Sequence, residues 1–187
     1  MKTTKTHVSI DMEADGPYPG PHSMLSIGAV AIIGDNREDW PTFKVNLEPL
    51  EGATQHPSTM KWWKDFPEAW EAATADPLPP KEAMQKFLDW TYSLPVGPKY
   101  ACIWPCWDFM WIHWYFEHFL GYDPYGFAYL DAKSYAAGML NIPFGRSQKF
   151  SFPGEWFEGC ERHSHDALED AMEQAVMFKG MLAHQER

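Results

Sequence analysis

The chain is short of cysteine, of basic charge and of long apolar runs. Only Cys102, Cys106 and Cys160 occur in 187 residues. An odd count without framework spacing excludes a disulfide scaffold and fits a reduced, cytoplasmic protein. No apolar run reaches the length of a membrane span. The apolar stretch after Lys2 and Lys5 breaks at Asp11, too early for a signal peptide. Repeats and linkers are also missing, so residues 1–187 read as a single domain, long enough for a full core. Fifteen basic residues stand against 26 acidic ones, a net charge of -11. That balance speaks against a long electrostatic track along nucleic acid.

What the chain does have is aromatic mass, at 16% with ten tryptophans, and a spaced set of acids. Residues 6–13 alternate apolar and polar as a strand does, which puts Asp11 and Glu13 on one face. A Gly/Pro loop from Ala14 to Ser23 follows, then a continuous apolar strand from Met24 to Ile33 and a third strand over 42–47. Residues 57–75 suggest one or two short helices, and Pro79-Pro80 opens another that stops before Pro95. Strands are expected over 100–104 and 127–130. A helix apolar on nearly every side is expected over 107–120, and Asp131 is placed to cap one running to Leu140. The last helix starts near Asp166, with Ser164 as its expected N-cap. Three strands, then alternating helix and strand, indicate an α/β fold: a mixed sheet with helices on its faces. The first strand would lie centrally beside the 100–104 strand, gathering Asp11, Asp108 and the start of the last helix at one sheet end.

Asp11, Glu13, Asp108, Asp170 and His165 are the candidate site. Each has a bland reading: a solvated strand edge for the first pair, a helix N-cap for Asp108, an exposed helix face for His165 and Asp170. Context favours chemistry. Asp11 and Glu13 end an apolar strand, where burial is costly without a metal or cationic partner. Four carboxylates with one imidazole suit two hard divalent cations with a general base beside them. Two such ions would add four charges, bring the total to -7 and make the site itself attractive to phosphate. The imidazole's ordinary pKa of roughly 6.5 suits proton transfer near neutrality.

The order Asp-x-Glu, then Asp, then His165-Asp166-Ala167-Leu168-Glu169-Asp170-Ala171 resembles the DEDDh group of 3′–5′ exonucleases. Asp108 lies 97 residues after Asp11, and His165 lies 57 after Asp108, intervals similar to that family. The resemblance covers nearly the whole chain, and the third motif is its most specific part. It implies a ribonuclease-H-like mixed five-stranded sheet with helices on both faces. By the same resemblance, Asp11, Glu13 and Asp170 hold one metal, Asp11 bridges to a second, and Asp108 acts partly through water. His165 takes the proton from the attacking water, and nucleoside 5′-monophosphates leave from a 3′ end. Mg²⁺ or Mn²⁺ fits the oxygen-rich set better than zinc. Thr59-Met60-Lys61-Trp62-Trp63 is similar to a segment of a bacterial and phage subset with exoribonuclease-like members, which tilts the expected substrate slightly toward RNA. Where the family often has Asn or His four residues before the middle Asp, this chain has Trp104.

Further expectations concern the periphery. Met24 and Leu25 could wedge against the terminal base, or simply begin the second strand. Arg146 and Lys149 could contact backbone phosphates. Trp62 and Trp63 could stack bases, with packing the commoner role. The all-round apolar helix over 107–120 suggests a homodimer. Cys160, His163 and His165 match no standard zinc spacing. The competing functions are a non-catalytic nucleic-acid-binding module on the same fold and a metallophosphatase for small esters. The intact His165 and Asp170 disfavour the first, and the lack of a histidine-rich binuclear motif disfavours the second.

Overall fold

A computed structural model of the protein describes residues 5–95, 97, 99–159 and 164–185. Its centre is a five-stranded mixed sheet in the order β3-β2-β1-β4-β5. Strand β1 (Thr6–Ala14) runs antiparallel to β2 (Met24–Ile32), and β2 antiparallel to β3 (Thr42–Asn46). On the other side β1 runs parallel to β4 (Lys99–Ile103), and β4 parallel to β5 (Leu130–Asp131). The meander and the central place of β1 are as the alternation and short connections indicated.

The helices are α1 (Pro57–Trp63), α2 (Pro67–Thr74), α3 (Pro80–Ser93), α4 (Trp107–Leu120), α5 (Ala132–Met139) and α6 (Ala167–Gln185). They cover both faces of the sheet. Val8 and Ile10 of β1 meet Phe87 of α3 and Ile112 and Phe116 of α4. On the opposite face Val30 and Ile32 of β2 and Cys102 of β4 meet Ala136 of α5 and Ala175 and Phe178 of α6. Burial of two apolar layers against one sheet is the main source of its stability. Pro67 starts a new helix after α1, which resolves residues 57–75 into two helices. Among the described residues no helix is long and apolar enough to cross a membrane.

Two local expectations are corrected. The strand expected at 127–130 is only Leu130–Asp131. Asp123 accepts from the Tyr125 amide and the Tyr129 hydroxyl, and Gly126 turns the chain at φ 72°, leaving Phe127 88% exposed. The cap of α6 is Asp166, not Ser164: Asp166 Oδ1 accepts from the Leu168 and Glu169 amides at 3.0 and 3.3 Å. The all-round apolar character of α4 is largely met within the chain. Trp111, Ile112, Tyr115 and Phe116 are buried, and Phe109, Trp114 and Phe119 pack partly buried against the same cluster. Cys160 and His163 lie outside the described residues.

Candidate active site

Period-two alternation sends Val8, Ile10 and Met12 into one core, so Asp11 and Glu13 point to the other face of β1, toward α6. The register with β2 shifts between Glu13 and Ala14, so regular pairing ends where the acids are. Asp11 sits directly across from Gly28. Gly28 has a steric reason to be glycine: a Cβ there would stand 2.1 Å from the Ala167 carbonyl oxygen and 2.3 Å from the Leu168 amide nitrogen. The first turn of α6 therefore lies directly on the sheet at the level of Asp11.

That contact brings in the third motif. Asp170, one turn into α6, is fully buried, and its Oδ1 accepts from the Ser164 amide at 3.0 Å. The same carboxylate thus ties down the turn that carries His165, whose backbone adopts a left-handed φ of 59°. Such a conformation is uncommon for a residue with a Cβ and persists where its surroundings hold it. Lys44 of β3 pairs with Asp166 at 2.5 Å and anchors the turn from the sheet side. One ligand atom each from Glu13, His165 and Asp170 lies within 4.8 Å of the others.

Asp108 arrives from a third direction. It is the second residue of α4, which follows β4, the parallel neighbour of β1. The N-cap position belongs to Cys106, which makes no side-chain cap bond, so the capping explanation for Asp108 does not apply. Asp108 is 3% exposed, and its Oδ2 has no hydrogen-bond partner among the described residues. Leaving a buried carboxylate oxygen unmatched costs free energy unless a cation or water meets it.

The electrostatics tell the same story. Burial, then the charges of Asp11, Asp170 and Asp166, push the Glu13 carboxyl up to about 10. Burial, then Asp11 and Glu13, hold Asp108 well above the usual carboxylate range, against a smaller opposing pull from the Trp104 backbone. Carboxylates crowded this closely resist being charged together unless a cation joins them. The donor set is oxygen-rich with one imidazole, and its acids repel one another. It therefore fits divalent metal ions.

The remaining expectations fall at varied distances from this cluster. Met24 and Leu25 are 0% and 2% exposed at the start of β2, where the Met24 amide donates to the Tyr115 hydroxyl and Leu25 packs with Trp63 and Ala73. A base could meet either side chain only after it is uncovered. Arg146 is exposed in a short 3-10 turn. Lys149 forms an ion pair with Glu173 of α6, and its Nζ lies 5.9 Å from the centre of the Trp104 ring. Trp104 stands edge-on to Phe152 at 5.6 Å and so belongs to the α5–α6 side of the core. Trp63 is buried and donates from Nε1 to the Ala14 carbonyl, whereas Trp62 is 38% exposed.

Two contributions escaped the sequence. Gln174 donates from Nε2 to Asp11 Oδ1 at 2.6 Å in a buried setting. Its place four residues after Asp170, on the same helix face, was the available signal. Phe66 packs against His165, and no sequence spacing links residues so far apart.

The chain matches, over residues 6–182, the family described as the 3′–5′ exoribonuclease Rv2179c-like domain. A protein of Escherichia coli named 3′–5′ DNA exonuclease Cap18 is 31% identical over 191 residues, spanning 96% of this chain and 93% of its own. Among solved structures, the nuclease domain of 3′hExo, described as a DEDDh family member bound to rAMP, superposes with a TM-score of 0.68. It is 14% identical and covers 95% of this chain and 92% of its own. The zinc-bound complex of E. coli exonuclease I with single-stranded DNA gives a TM-score of 0.68 at 16% identity, covering 98% of this chain and 42% of that one. Identities this low carry the fold, which is the ribonuclease-H-like fold of these nucleases. The match along residues 6–182 carries the rest: the chain belongs to the Rv2179c-like 3′–5′ exoribonuclease domain family.

Proposed function

We propose that the protein is a metal-dependent 3′–5′ exonuclease that acts through Asp11, Glu13, Asp108, His165 and Asp170. The observation that carries this reading is the convergence of Glu13, His165 and Asp170 within 4.8 Å, beside the buried Asp108, whose Oδ2 has no hydrogen-bond partner among the described residues. Asp11, Glu13 and Asp170 would hold one Mg²⁺ or Mn²⁺. Asp11 would share a second, and Asp108 would act partly through water. Two such ions supply Lewis-acid activation of the attacking water and stabilise charge on the leaving 3′ oxygen.

The chain's own residues do the rest. His165 accepts a proton as water attacks the terminal phosphorus. The bond from phosphorus to the 3′ oxygen of the preceding nucleotide breaks, that oxygen is protonated, and a nucleoside 5′-monophosphate leaves. Arg146, exposed, and Lys149, beside Glu173, are the proposed phosphate contacts. Met24 and Leu25 would meet the terminal base only through rearrangement at the start of β2. Residues 1–187 would act as a single exonuclease domain. A cytoplasmic setting fits the free thiols Cys102 and Cys106. A homodimer would use the edge of α4 where Trp107 and Met110 are 38% and 36% exposed, and a monomer mass by light scattering at micromolar concentration would reject it.

The substrate is the 3′ end of single-stranded or overhanging nucleic acid. The family description speaks for RNA, as the Thr59–Trp63 segment does, and the name of the E. coli relative speaks for DNA. A matched digestion tests both the activity and the preference: 5′-labelled single-stranded RNA and DNA of one sequence, with Mn²⁺, Mg²⁺ or EDTA, beside His165→Ala. A metal-dependent ladder shrinking from the 3′ end and absent in the variant is expected, and the faster strand names the class. No ladder on either strand, with metal bound, would turn the reading to a non-catalytic binding module.

A further inference from the structure

The His165 side chain is half-buried, and the turn beneath it is tied to Asp170 through the Ser164 amide. That bond holds the backbone beneath the ring. Two rings from the α1–α2 segment close on it. Trp62 stands 4.7 Å from the His165 ring at an interplanar angle of 87°, and Phe66 stands 4.3 Å away at 63°. Both rings meet the imidazole edge to face, an orientation that aromatic rings prefer. Trp62 and Phe66 also touch each other, with centroids 4.8 Å apart.

This pair is anchored at the same strand end as the acids. Trp62 packs edge-on against Trp63 at 4.9 Å. Trp63 is buried, stacks edge-on to Trp70 and donates from Nε1 to the carbonyl of Ala14, the residue next to Glu13. The rings around His165 are therefore fixed to the backbone that carries Glu13. A short path of contacts, Ala14 to Trp63 to Trp62 to His165, connects the imidazole to that strand end.

We propose that Trp62 and Phe66 are positioning residues that clamp the His165 imidazole over the carboxylate cluster. The proposal rests on the reading of His165 as the proton acceptor. It assigns Trp62 a role other than stacking a substrate base. A base platform contributes to binding and shows in KM. A clamp on the proton acceptor acts on the chemical step and shows in kcat, because a reacting group displaced by about 1 Å can lose roughly 100-fold in rate.

The experiment pairs kinetics with a spectroscopic readout. Trp62→Ala, Phe66→Ala and the conservative Trp62→Phe are assayed on a 5′-labelled single-stranded oligonucleotide with saturating Mn²⁺. The His165 ring proton resonances are recorded for each without metal, assigned by comparison with His165→Ala. The alanine variants are expected to lose about 10- to 100-fold in kcat with KM within about twofold, and to keep their Mn²⁺-induced thermal shift. Their His165 resonances should move toward those of a free histidine as the ring currents of Trp62 or Phe66 disappear. Trp62→Phe should restore most of kcat and part of the shift. A rise in KM with kcat unchanged, or His165 resonances indifferent to both substitutions, would overturn the clamp. An inactive wild-type protein would sink the exonuclease reading, while the ring resonances would still decide whether the clamp exists.

Discussion

Gln174 Nε2 donates to Asp11 Oδ1 at 2.6 Å, so α6 supplies both Asp170 and the amide that holds Asp11. The bond joins two elements 163 residues apart in a buried setting. It holds the Oδ1 oxygen of Asp11 from the α6 side. Outer hydrogen bonds of this kind orient metal ligands and tune their affinity. The Gln174 Oε1 is buried with no hydrogen-bond partner among the described residues, a cost that the Asp11 contact offsets only in part.

Replacing Gln174 with Leu keeps the bulk and removes the donor. The expected result is Mn²⁺ binding weakened about 10- to 100-fold, with the fold retained. Titration calorimetry at neutral pH measures it. Mn²⁺ affinity equal to wild type would show that Asp11 is oriented without Gln174.

Gly28 and Ala167 define how closely α6 can approach β2, since a Cβ at Gly28 would stand 2.1 Å from the Ala167 carbonyl oxygen. Both partners there are backbone, so α6 itself must move. Gly28→Ala should cost about 1–3 kcal/mol, the range for overpacking, or roughly 3–10 °C in Tm for a chain of this length. Activity should fall further than stability, because Asp170 and His165 ride on the displaced turn. A variant with wild-type Tm and turnover would mean that α6 has slack at this contact.

The burial of the acids, and then their crowding, predicts how stability depends on pH without metal. Glu13 titrates in the folded protein at about 10 against an ordinary value of 4.5. Between those values the folded state holds a proton that the unfolded state has released. Stability therefore falls as pH rises through that window. Asp108 is shifted in the same direction. In EDTA, Tm should drop from pH 5.5 to 8.5, and Glu13→Gln should flatten the drop. Mn²⁺ should reverse it, adding about 2.7 kcal/mol at 100 times its Kd. An equal slope in wild type and Glu13→Gln would remove Glu13 from the crowded set.

The sequence made the sheet legible because alternation and apolar runs report burial directly. β1 carries its acids near its end, β2 is buried throughout, and β4 is short and buried over its last three residues, so their order followed from short connections and the parallel crossover. The four candidate acids and the imidazole were legible as a set because each falls near the end of a strand or the start of a helix. What stayed hidden depends on tertiary contact. Phe66 meets His165 across about 100 residues of chain, and Lys149 meets Glu173 only because the 3-10 turns fold back on α6. Asp166 outcompetes Ser164 as the cap because it stands immediately before the first helical residue, and a one-position choice of this kind is the least legible feature of a helix end.

Asp108→Asn separates stability from function at one atom. The buried Oδ2 of Asp108 lacks a hydrogen-bond partner among the described residues, and Asp11 and Glu13 oppose its charge. An amide of the same shape carries no charge, so the metal-free variant should melt at or above the wild-type temperature at pH 8. A carboxylate that meets a divalent ion contributes several kcal/mol to such reactions, so turnover should fall by roughly 100-fold or more. The Mn²⁺-induced rise in Tm should shrink at the same time. Differential scanning fluorimetry with EDTA or Mn²⁺, beside the labelled-oligonucleotide assay, measures all three. A variant that melts well below wild type in EDTA while cleaving normally would place Asp108 in the framework of α4 and outside the metal site.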